Sequence, residues 1–119
     1  MIRGGLVTLF VREVGAAVRF YVETLGMKLV EQAGTGWAVI DAGEGFRIAL
    51  HSHFETRGSV EGRGAHSPSV GLYPKVPIRE AIAIFENRGV KFDVKDDGPV
   101  TLAHFRDPDG NVLYLCQEH

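Results

Sequence analysis

What this chain of 119 residues has little of narrows its chemistry first. There is one cysteine, Cys116, so no disulfide can form within the chain, and no CxxC pair is present to suggest a zinc or thiol-redox centre. That usage fits a reducing cytoplasm. Charge of one sign is also missing: thirteen basic against fifteen acidic residues leave a net −2, with no basic run to neutralise a row of phosphates. Nucleic acid is therefore not an expected partner. Long apolar runs are absent too, and the N-terminal GGLVTLFV, closed by Arg12 and Glu13, is far too short to span a bilayer. We read it as a strand and expect no membrane partner.

What is present is ordinary for a globular domain, 45% hydrophobic and 24% charged, in one domain long enough to bury a core without staples. Leu6 to Val11 is β-branched and apolar, and Val14, Ala17, Val18, Tyr21, Val22 and Leu25 then recur at helical spacing. Gly26 stands where a left-handed helix C-cap is wanted. MKLVEQ, GWAVIDA and FRIALHSH follow as strands, with glycines between them suited to hairpin turns. From His53 to Ser69 the chain is rich in Gly, Ser and charge, has no period, and reads as a loop.

The order then repeats. SVGLYPKV predicts a strand, Pro77 a helix start, Ile78, Ala81, Ile82 and Phe85 a buried helix face, and Gly89 its C-cap. VKFDVK, VTLAHF and NVLYLC complete the set as strands. Gly26 and Gly89 are 63 apart, Ala17 and Ala81 are 64, and the hairpin glycines Gly45 and Gly110 are 65. The chain thus reads as α+β, two tandem βαβββ modules at about residues 4–54 and 69–118 joined by a loop at about 53–69. One such module alone exposes an apolar sheet face, so two copies are expected to share a core or cavity.

VRFYVETLGMKLV and FRDPDGNVLYL, about 85 residues apart on this duplicated frame, together resemble the vicinal oxygen chelate superfamily, the glyoxalase, bleomycin-resistance and extradiol-dioxygenase group. The resemblance covers essentially the whole chain. It implies a curved, eight-stranded half-open barrel around a central cavity, and a homodimer. In metal-using members the first and fourth strands of each module each give one ligand to a divalent ion. Counted onto this chain, those positions fall at Leu6, Ala49, Val70 and Tyr114. Hydrocarbon cannot coordinate a metal, and a neutral phenol is a poor donor beside imidazole or carboxylate. No cofactor is therefore expected at the family's usual place.

With those positions fixed, strand alternation lists the cavity face. The first module offers Thr8, Phe10, Trp37, Arg47 and His51. The second offers Leu72 (with Val70 and Pro74), Leu102, His104, Tyr114 and Cys116. A mostly apolar lining with a few polar groups is the usual make-up of a small-molecule site. His104 is either an acid, base or anchor, or a histidine satisfied within the sheet. Tyr114 either donates a hydrogen bond to a ligand or fills the volume of the missing metal. Arg47 either pairs with an anionic group or reaches solvent or Asp109. Trp37 and Phe10 either stack on a flat ligand or serve the core. Cys116 has no basic neighbour in sequence to activate it. His51, His53 and His66 form the one alternative metal set, and Asp107 and Asp109 suit backbone bonding within the DPDG turn.

Three functions remain open on these grounds: a metal-free protein that binds a small apolar or aromatic molecule, an enzyme using displaced histidines or His104 with Tyr114, and an interaction module with a filled pocket.

Overall fold

The computed structural model describes residue 1, residues 4–52 and residues 68–119, and it divides into two compact units, Met1–Ser59 and Val60–His119. His53 and His66, and with them most of the expected loop, lie outside the described residues.

In the first module β1 (Leu6–Val11) leads into α1 (Val14–Arg19), and three strands follow: β2 (Lys28–Ala33), β3 (Trp37–Gly43) and β4 (Phe46–Ser52). Their sheet runs β1-β4-β3-β2, with β1 parallel to β4 and the remaining pairs antiparallel. The second module has β5 (Ser69–Leu72), α2 (Ile78–Glu86), β6 (Asp93–Asp96), β7 (Val100–Arg106) and β8 (Val112–Glu118). Its order, β5-β8-β7-β6, is the same topology. The fold is α+β, two tandem βαβββ modules, and neither four-stranded sheet closes on itself.

Each helix covers one face of its own sheet. In the first module Leu9, Val11, Ile48, Leu50, Ala38 and Ile40 are buried on the alternation that meets Val14, Ala17 and Tyr21. In the second, Val70, Leu113, Leu115, Ala103 and Phe105 do the same with Ile78, Ala81 and Ile82. Each fully buried Leu or Ile contributes about 1.5–3 kcal/mol relative to exposure, so these two faces are where each module's stability is concentrated.

The repeat offsets have local causes. Helix starts Val14 and Ile78 are 64 apart, but the closing glycines are 63 apart, so the first helix holds one extra residue. It is absorbed by a π-helical stretch, Phe20–Thr24, where Leu25 N–H donates to the Phe20 carbonyl at 3.1 Å. The second helix ends instead in a regular Schellman turn, Val90 N–H to Phe85 O at 3.1 Å and Gly89 N–H to Glu86 O at 3.0 Å. Both closing glycines adopt positive φ, 78° at Gly26 and 93° at Gly89, as their position demands.

Two expectations need correction. SVGLYPKV is a strand only over Ser69–Leu72, since Pro74 has no amide to continue the ladder; and Pro77 is the N-cap, with ψ of 140°, so the helix starts at Ile78. Its first amide is satisfied from the sheet: Ile78 N–H donates to Gln117 Oε1 at 2.6 Å. In the first module the second and third helical amides, Gly15 and Ala16 N–H, bond the carboxylate of Glu13 at 2.8 and 2.9 Å.

Candidate functional site

The face that each helix leaves uncovered carries the chemistry. In the first module the pairings Leu6↔Arg47, Thr8↔Ala49 and Phe10↔His51, continued by Trp37↔His51 and Val39↔Ala49, put Thr8, Phe10, Trp37, Arg47 and His51 on one face, as the alternation predicts. At one end of it three rings lie side by side across three strands. The Phe10 and His51 centroids are 5.7 Å apart at 75°, and those of Trp37 and His51 are 5.9 Å apart at 78°. Edge-on contacts of this kind hold the imidazole between two aromatic walls. The middle of the face is small and apolar, Ala49 and Val39 both being buried beside Thr8. Arg47 is exposed at the far end, in register with Asp41, whose carboxylate accepts from Gly43 N–H at 2.6 Å.

In the second module the pairings His104↔Tyr114 and Leu102↔Cys116 place those four residues together, each half-buried. The His104 and Tyr114 rings meet at 5.1 Å with a tilt of 32°. Leu72 does not join them. It pairs with Leu115, and Val70 with Leu113, both on the face that α2 covers, so the predicted register of the first strand was out by one residue. The residues of β5 on the Tyr114 face are Ser69, opposite Val112, and Gly71, opposite Tyr114 itself. A Cβ on Gly71 would stand 2.6 Å from both Cζ and the hydroxyl of Tyr114, which shows the ring lying over this strand. Applying the 63-residue offset of the closing glycines to Leu6 gives Ser69 directly; the helix offset of 64 gives the wrong face.

The first-strand position of the second module is therefore Ser69, not Val70. Within the first module the two family positions hold the alkyl group of Leu6 and the methyl of Ala49; within the second, the hydroxymethyl of Ser69 and a phenol stacked against His104. None of these is an anionic or imidazole donor, so the side chains present do not fit a divalent ion. Among the described residues no three His, Cys, Asp or Glu side chains cluster as a metal site requires. His51 stands in its row of rings, and its two proposed co-ligands are not among the described residues.

The DPDG turn serves structure, with Asp107 at its centre. Its buried carboxylate accepts from Asp109 N–H at 2.9 Å, Asn111 N–H at 2.8 Å and the Asn111 side-chain amide at 2.8 Å, and Arg106 donates to Gly110 O at 2.8 Å. Asp109 is buried as well. Cys116 has a free thiol and also lines an open groove of about 510 Å³ with Tyr73, Pro74, Val76, Pro77, Gln117 and Glu118. No described helix is long and apolar enough to cross a membrane.

Comparison with known proteins agrees with this architecture. The antibiotic binding protein TnmS3 from Streptomyces sp. CB03234 is 28% identical over 100% of this chain and 99% of its own, with a TM-score of 0.75. A glyoxalase/bleomycin resistance protein from the same organism is 29% identical over 97% of this chain and 100% of its own, with a TM-score of 0.73. A glyoxalase-family protein from Bacillus anthracis, at 18% identity, covers 100% and 98% with a TM-score of 0.79 and speaks for the fold alone. No curated protein matches the chain. The family model described as Glyoxalase/Bleomycin resistance protein/Dioxygenase superfamily matches residues 5–115, and the chain belongs to that superfamily.

Proposed function

We propose that this chain is a small-molecule binding member of the superfamily that takes up a compact apolar or aromatic compound on its helix-free sheet faces, without a metal at the family's usual positions. The observation that carries the reading is the pair of ring clusters on those faces, Phe10, His51 and Trp37 in one module and His104 with Tyr114 in the other. Four half-buried rings and the exposed imidazole of His51, with few charges beside them, supply contact area and orientation for a flat ligand. The likeness to TnmS3, an antibiotic binding protein, supports sequestration as the kind of task.

An enzyme using His104 and Tyr114 for proton transfer would require a ring nitrogen and the phenol within hydrogen-bond reach of each other or of a shared substrate atom. Here the two rings meet at 5.1 Å with a tilt of 32° and no hydrogen bond joins them, an arrangement that favours a contact surface over direct proton transfer between the pair. Binding is tested by calorimetric titration with a flat probe, 2-acetylnaphthalene, alongside His51→Ala and His104→Ala. Saturable binding weakened by either substitution is the expected result. Absence of saturable binding, or binding indifferent to both substitutions, would sink the proposal.

A further inference from the structure

Gly71 is in a strand, and its conformation does not explain it. Nearly every other glycine with a special backbone sits in a turn at positive φ with open space where a Cβ would be, as at Gly26, Gly34, Gly45 and Gly89. Gly71 has extended backbone within β5 and no room at all: an added Cβ would lie 2.6 Å from Tyr114 Cζ, 2.6 Å from its hydroxyl and 2.9 Å from Cε2. Glycine inside a strand weakens it, and the usual compensation is the close approach of another group. Here that group is the end of the Tyr114 side chain. On its other side the same ring is backed by His104 at 5.1 Å, so the phenol is fixed from two strands at once. The described residues offer its hydroxyl no hydrogen-bond partner, and the ring is only half-buried.

A phenol held by packing, with an unspent O–H, is a donor prepared for something else. We propose that Tyr114 donates a hydrogen bond to a carbonyl-type oxygen borne by a flat, neutral ligand, and that Gly71 is the positioning residue that lets it do so. The ligand class follows from the neighbours. Leu102 and Cys116 are the next pair along the face and add no charge, while the stacked His104 and Tyr114 offer a flat surface. An acceptor on a planar apolar skeleton uses both features, since a buried donor left unmatched by an apolar ligand costs affinity. This inference rests on the binding function proposed above.

Two isosteric probes separate the two ideas: 2-acetylnaphthalene, which carries the acceptor, and 2-isopropenylnaphthalene, which replaces the carbonyl oxygen by a methylene. Calorimetry on the whole chain is expected to show both binding, the ketone roughly tenfold more tightly, which corresponds to about 1.4 kcal/mol for one neutral hydrogen bond. Tyr114→Phe keeps the ring and is expected to erase that preference, the ketone binding more weakly and the hydrocarbon, no longer facing an unmatched donor, at least as tightly as before. Gly71→Ala, which forces the ring aside, is expected to erase it as well, and adding Gly71→Ala to Tyr114→Phe to change the preference no further. Should the alanine variant fold poorly, Tyr114→Phe decides alone. A preference that survives Tyr114→Phe, or equal binding of the two probes by the unaltered chain, would overturn the role of Tyr114 and leave the binding function standing. If neither probe binds the unaltered chain, the binding function falls and this inference with it.

Discussion

The two modules share a topology and differ in where they put their rings. With β4 set on β8 by the hairpin offset of 65, His51 corresponds to Cys116, Trp37 to Leu102, Ala49 to Tyr114 and Val39 to His104. The first module is aromatic at one end of its free face and small in the middle; the second is the reverse. A duplicated frame fixes the backbone and the helix-covered face, because both copies must bury the same apolar set. It leaves the free face to diverge, and the two copies have diverged in complementary positions. The helices differ likewise: the first carries a π-helical insertion and is capped by its own Glu13, whereas the second is regular and is capped from β8 by Gln117.

Substitutions at matched positions test how unequal the modules are. Tyr21 is wholly buried under the first sheet, while its counterpart Phe85, 64 residues on, is half-buried. Tyr21→Ala is expected to destabilise by about 3–5 kcal/mol and Phe85→Ala by about 1–2 kcal/mol, read from urea unfolding. Equal losses would mean that the π-helical stretch gives Tyr21 no special burial. The turns come next. Asp107→Ala removes an acceptor that satisfies three buried donors and is expected to cost about 2–4 kcal/mol, whereas Asp41→Ala, near the end of β3 with one exposed bond to accept, should cost under about 1 kcal/mol.

Loss of a helix cap is a smaller effect. Glu13→Ala and Gln117→Ala should each lower stability by about 1 kcal/mol, and the Gln117 change should be the larger because its bond to Ile78 is partly buried. Thermal melts of the pair would check the order, and the reverse order would show that the sheet-borne cap is dispensable. Smallest of all, Glu44 is a non-glycine residue at φ of 51° between Gly43 and Gly45. Glu44→Gly should change stability by less than about 1 kcal/mol, in the stabilising direction if relief of strain outweighs the added chain entropy. A clear loss would show that the Glu44 side chain supports the turn.

The fold was legible because its signals are local and doubled. Helical spacing at Ala17 and Tyr21, closing glycines at 26 and 89 and the DPDG turn each have a single good structural solution, and each was read in place. The first-module face was legible for the same reason: alternation along β1, β3 and β4 needs only one correct residue per strand. In β5 that condition failed. Val70 as the counterpart of Leu6 implies a spacing of 64, whereas β5 follows the offset of 63, and that shift of one residue exchanges Leu72 for Gly71. The cause is the loop before α2, one residue longer than its counterpart before α1, which periodicity does not register. Gly71 itself was silent because a glycine announces a close approach only once its neighbour across the sheet is known.

The proposed binding surface for a small flat molecule is the helix-free face of each sheet. Its most direct test is an amide and side-chain NMR titration of the whole chain with 2-acetylnaphthalene. Saturable shifts are expected at the Trp37 indole, His51, Gly71, His104 and Tyr114, with the buried residues under α1 and α2, such as Ile40 and Leu113, little changed. Shifts confined to the groove around Tyr73 and Val76, or no saturable shifts at any concentration the probe allows, would contradict it.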